Sequence, residues 1–149
     1  MLSREQIEAM IPHKGKMCLW EEVLAWDADS VHLRARNHRD SEHPLRSRGR
    51  LHAVHLCEYG AQAMAVHGGL RAQHGGEPAR PGLLVALRGV QLHCADLDGL
   101  AGWIECVAEV LVEGEDSQQY AFRISHDGKL LAEGRAAVML QAPAQNPRG

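Results

Sequence analysis

The chain has 149 residues, a net charge of −3 and an apolar content of 45%, enough for one globular domain with a core of its own. Charge this near balance gives no bulk attraction to nucleic acid, and no apolar run is long enough to span a bilayer. Met1 to Met10 carries acids and no apolar core, and Cys18, Cys57, Cys94 and Cys106 sit in apolar stretches without zinc or disulfide-scaffold spacing, so a reduced, cytoplasmic protein without a leader is expected.

The first element reads as a short helix. Ser3 is a good N-cap, Gln6 three residues later completes a capping box, Leu2 and Ile7 can staple it, and Pro12 stops it at about Ile11. Met17 to Trp26 reads as a strand, Asp27-Ala28-Asp29 as a turn, and Ser30 to Arg36 as a second strand with Val31, Leu33 and Ala35 on one face. A polar loop follows to Arg50. Leu51 to His67 is rich in Ala, Leu and Met and predicts a long helix. Ala53, Leu56, Cys57, Ala61, Ala63 and Met64 cover most of its circumference, so it should be buried. His52, His55, Glu58, Tyr59 and Gln62 form the remaining stripe, either a wet side or a site.

Gly68 to Gly82 reads as a loop. Strands are then expected over Leu83–Cys94, Ala101–Val112, Gln118–His126 and Lys129–Leu140, the last two joined by the hairpin signal Asp127-Gly128. Residues 1–140 make one domain in this reading, and 141–149 a flexible tail. The fold class is α+β: a curved antiparallel sheet around one long helix, whose free edges call for a second copy.

Several stretches, in order along the chain, carry a family resemblance. Ile11-Pro12-His13-Lys14-Gly15-Lys16-Met17 resembles the opening PHR-x-P-M box of beta-hydroxyacyl-ACP dehydratases. Glu58-Tyr59-Gly60-Ala61-Gln62-Ala63 resembles their helix signature Glu-x-Met-Ala-Gln. His43-Pro44, fifteen residues before Glu58, stands near the position of their His-Phe-Pro-Gly. Gly82-Leu83-Leu84-Val85, Arg88 and Glu133-Gly134-Arg135 resemble the later strands, and the whole is most similar to the ApeP-like subgroup found with aryl-polyene clusters. The usual Pro-Gly turn before the helix is replaced by Gly49-Arg50-Leu51-His52-Ala53, and the loop from His43 to Glu58 is about one residue longer.

The resemblance implies a hot-dog fold and dehydration of a 3-hydroxyacyl thioester, without metal or organic cofactor. That chemistry needs a base for the proton beside the carbonyl, an acid for the departing hydroxyl, and donors for the thioester oxygen. His43 is the implied base, with His55 in reserve. Glu58 is the implied acid, expected to hold its proton on a mostly apolar helix. Gln62 at i+4 can orient Glu58, and the amide at Ala53 maps to the family's oxyanion donor. His43 packing on Pro44 and Glu58 facing solvent are the structural alternatives; His52 and His55 binding a metal is another.

Arg34, Arg36, Arg39, Arg46, Arg48 and Arg50 crowd one segment, which is either a solvated face or, at Arg46, Arg48 and Arg50, a docking patch for acyl carrier protein. The expected assembly is a homodimer or larger, or a heterodimer with a second dehydratase. A thioesterase on the same fold and a non-catalytic partner subunit remain open.

Overall fold

A computed structural model describes residues 1–78 and 80–142. The first helix, α1 (Arg4–Glu8), starts as expected: Ser3 Oγ accepts from the Gln6 amide and Gln6 Oε1 accepts from the Ser3 amide at 2.9 Å. It stops short of Ile11, in a turn at Ala9–Met10.

The first strand is shorter than its apolar run. Gly15–Met17 forms a 3-10 turn, with Gly15 at φ +59°, and only Glu22–Trp26 is laddered as β1. Cys18, Leu19 and Trp20 are fully buried, and two of their donors turn to the central helix: the Leu19 amide donates to Gln62 Oε1 at 2.9 Å, and Trp20 Nε1 donates to the Tyr59 carbonyl at 2.7 Å, while the Leu19 carbonyl accepts from Asn37 Nδ2 at 2.7 Å. An apolar run bonded to a helix rather than to a neighbouring strand leaves the ladder. The second strand, β2 (Ser30–Ala35), pairs with β1 through a turn organised by Asp27 Oδ1, which accepts from the Asp29 and Ser30 amides.

The central helix, α2 (Leu56–His74), begins five residues later and ends seven residues later than the expected Leu51–His67. Residues before it are held elsewhere: the Ala53 amide donates to the Ala95 carbonyl at 3.0 Å, and Ala53–His55 forms a 3-10 turn. Its C-terminal half runs through Gly68-Gly69. A Cβ at Gly69 would come within 3.1 Å of Met10 Cβ, so packing against the N-terminal turn, rather than a loop, accounts for glycine here. A Cβ at Gly60 would meet the Phe122 ring at 2.8 Å, and the missing side chain lets the helix lie directly on the sheet.

The remaining strands, β3 (Gly82–Leu92), β4 (Ile104–Glu113), β5 (Ser117–His126) and β6 (Lys129–Leu140), match the expected runs within three residues. Asp127 and Gly128 take positive φ at the β5–β6 hairpin, as a primed turn requires. All six strands form one antiparallel sheet in the order β1-β2-β4-β5-β6-β3.

The helix packs on β2, β4 and β5. The flank formed by β6 and the edge strand β3 is left open. On β3, Leu83 is 53% exposed and Val85 51%, with Leu84, Leu87 and Leu92 also exposed. No helix among the described residues is long and apolar enough to cross a membrane. The tail residues 143–149 lie outside the described residues.

Candidate active site

Glu58 lies in the first turn of α2, in the wall of a cavity of about 390 Å³ between the helix, the turn after α1, and the ends of β3, β5 and β6. The rest of that wall is mostly apolar or small, including Met10, Ala61, Met64, Gly68, Leu84 and Val138. One turn along, Gln62 is buried and donates from Nε2 to Glu58 Oε1 at 3.1 Å and to the Met17 carbonyl at 2.8 Å, while its Oε1 accepts from the Leu19 amide. The i+4 bond expected between Gln62 and Glu58 is therefore present. Gln62 belongs to the interior rather than to a wet stripe, because it ties residues 17–19 to the helix. Tyr59 is also fully buried.

His13, for which the sequence suggests no chemical role, stands in the same cavity wall, with Nε2 at 3.4 Å from Glu58 Oε1. No periodicity singles it out; its position in the opening box is the one available signal.

His43 is elsewhere. It is 4% exposed and does not line the cavity. Its Nδ1 accepts from the Leu45 amide at 3.1 Å, so the ring proton sits on Nε2, which donates to Tyr59 Oη at 2.9 Å. Tyr59 Oη in turn donates to Asn37 Oδ1 at 2.6 Å. Burial, then the nearby Arg46 charge, drives the His43 imidazole from 6.5 down to about 4, so it is neutral at pH 7. Burial pushes the Tyr59 hydroxyl above its ordinary range. A neutral imidazole with both nitrogens bonded inside the fold is not poised to receive a proton from a ligand in this cavity.

The amide of Ala53, the expected oxyanion donor, donates to the Ala95 carbonyl in this structure. The expected docking patch divides. Arg46 points inward, donating to the carbonyls of His38 at 2.6 Å, Asp40 at 2.9 Å and Gly49 at 3.1 Å, and to Asp98 Oδ1 at 2.6 Å. It is a clamp on the 37–50 loop. Arg50 pairs with Asp96. Arg48, exposed at φ +53°, has no side-chain partner among the described residues. Arg34 and Arg36 lie outside this loop, both over the Trp103 ring at 4.1 and 4.7 Å. Among the described residues no three His, Cys, Asp or Glu side chains are grouped as a metal would need, His52 and His55 included.

The fold has clear relatives among solved structures. The dehydratase heterocomplex ApeI:P from Xenorhabdus doucetiae matches with a TM-score of 0.83 and 23% identity, over 95% of this chain and 93% of that one. A hypothetical thioesterase with coenzyme A from Streptococcus pneumoniae TIGR4 matches at TM-score 0.63 and 12% identity, over 83% and 88%. The PaaI protein of the E. coli phenylacetic acid degradation operon matches at 0.60 and 14%, over 79% and 81%. At such identities these likenesses establish the hot-dog fold. No curated protein sequence matches the chain significantly. The family model of the ApeP dehydratases matches residues 5–147, nearly the whole sequence. The chain belongs to the ApeP-like family of hot-dog dehydratases, whose reaction is the dehydration of 3-hydroxyacyl thioesters.

Proposed function

We propose that this chain acts in the cytoplasm on a 3-hydroxyacyl thioester presented by acyl carrier protein, with Glu58 as the proton-handling carboxyl and Gln62 as its anchor. The observation that carries this reading is a single carboxyl group in the wall of a largely apolar cavity, held from one side by a buried amide. An acyl chain fits such a wall by burial of its methylenes. Glu58 is then within reach of the carbons next to the thioester, where it gives a proton to the departing hydroxyl. Gln62 also bonds residues 17 and 19, so its amide cannot swing away from Glu58 without breaking two backbone contacts.

The working assembly is a dimer built on β3. This strand is apolar, exposed on both faces and unpaired along its outer edge, and a second subunit laid along it would cover the open flank of the cavity. Val85→Asp should yield a monomer by light scattering; an unchanged oligomer would move the interface elsewhere.

His43 favours a second reading of that assembly. Its imidazole is bonded at both nitrogens inside the fold, and in this second reading the base comes from an unlike subunit. The Xenorhabdus structure is a dehydratase heterocomplex, which supports this arrangement.

Mass spectrometry of a 3-hydroxyacyl carrier protein incubated with the pure chain tests these readings together. Loss of water with the chain alone supports a self-sufficient enzyme. Loss of water only after a second dehydratase is added supports the paired form. Release of free acid would overturn both in favour of a thioesterase.

A further inference from the structure

We infer that His13 is a positioning residue for Glu58: its Nε2–H and the Gln62 amide together hold Oε1, so that Glu58 exchanges protons with the substrate through Oε2. This rests on the reading of Glu58 above.

The argument begins with where the two contacts fall. Gln62 Nε2 meets Oε1 at 3.1 Å, and His13 Nε2 meets the same oxygen at 3.4 Å. Oε2 has no partner among the described residues. A carboxyl group bonded at one oxygen by Gln62 and approached at the same oxygen by His13 keeps its other oxygen available. Both residues line or underlie the cavity, so this fixed group is presented to whatever the cavity holds.

The tautomer follows from burial. His13 Nδ1 is buried and has no protein partner among the described residues. An orphaned N–H costs more than an idle lone pair, so the proton belongs on Nε2, facing Glu58. At 3.4 Å the contact is longer than a formed hydrogen bond. Such contacts are often long in unliganded sites and tighten when substrate displaces water. His13 is one-third exposed, which leaves room for that closure.

The loop that carries His13 is already tied down. Lys14 Nζ donates to the Ile11 carbonyl at 3.0 Å, the Gly15 amide donates to a Glu8 oxygen at 3.1 Å, and Gln62 takes Met17 and Leu19. His13 is thus held over Glu58 by the same amide that shares its target, which gives the opening box a task beyond ending α1.

The experiment compares His13→Phe, His13→Gln and Glu58→Gln, using the chain with any partner its activity requires. His13→Phe removes the donor but keeps a ring and should lower kcat about ten- to a hundred-fold with KM little changed. His13→Gln restores an N–H near the same place and should recover most of that loss. If His13→Phe keeps wild-type kcat while Glu58→Gln is inactive, the inference falls and the reading of Glu58 stands. If Glu58→Gln is fully active, the reading of Glu58 falls and takes this inference with it. Equal impairment of both His13 variants would leave a packing role only. Nitrogen NMR of the imidazole decides the tautomer without turnover: Nε2 should carry the proton and shift in Glu58→Gln, and a proton on Nδ1 would overturn the inference.

Discussion

The two flanks of α2 are built from similar materials and do opposite things. On the closed flank the helix lies on β2, β4 and β5 and is sealed by the 37–50 loop, where His43, Tyr59 and Asn37 bond one another and Arg46 clamps three carbonyls. On the open flank, Glu58 and His13 face a cavity bordered by β3 and β6. Each flank carries a loop histidine, but one has both nitrogens occupied and the other has one nitrogen idle and the other near a carboxyl group. The chemical role of a histidine is therefore decided by what already occupies its nitrogens, not by its presence in a loop before or after a helix.

The largest test of that contrast is Glu58→Gln. It should reduce dehydration by about 10²–10⁴-fold with an unchanged thermal midpoint, since the side chain is partly exposed and its shape is kept. A large loss of stability instead would place Glu58 with the scaffold.

Arg46→Met should do the reverse. It removes the Arg46 bonds to the His38 and Gly49 carbonyls and to Asp98, and leaves the Asp40 carbonyl with the His43 amide alone; this should cost about 3–4 kcal/mol in urea unfolding, with normal turnover in the folded fraction. A stable Arg46→Met protein would show the clamp to be incidental.

Next comes pH. The folded His43 takes up its proton near pH 4, while in the unfolded chain it does so near 6.5. The unfolded state thus binds the extra proton between these values, so this contribution is intact above about 6.5 and lost as pH falls towards 4, amounting to about 3 kcal/mol. Burial lowers His38 and His67 in the same direction. Unfolding midpoints from pH 7 to 4.5 should fall, and less steeply in His43→Gln; equal slopes would mean His43 is not the buried neutral group described. The smallest effect should come from Arg48→Glu, within about 0.5 kcal/mol of wild type in stability and confined to the rate and salt dependence of carrier binding. An unchanged association rate would mark Arg48 as an ordinary solvated side chain.

Much of this molecule is decided locally. The capping box at Ser3 and Gln6, the alternation of Val31, Leu33 and Ala35, the Asp127-Gly128 turn and the i+4 spacing of Glu58 and Gln62 depend on near neighbours in the chain, and each is legible in the sequence and present in the structure. Other features needed the tertiary fold. Gly68-Gly69 reads as a breaker until Met10 is brought against Gly69. Met17 to Trp26 reads as one strand until Gln62 and Tyr59, some forty residues away, take the hydrogen bonds of Leu19 and Trp20. Arg46 reads as part of a surface patch until its loop folds around it, and the partners of the His43 nitrogens are set only when the fold brings Tyr59 and Leu45 to them. The division is physical. Caps, turns and helix neighbours are set by backbone geometry over a few residues, whereas the partner of a side-chain nitrogen is set by whichever distant group the packed chain delivers to it.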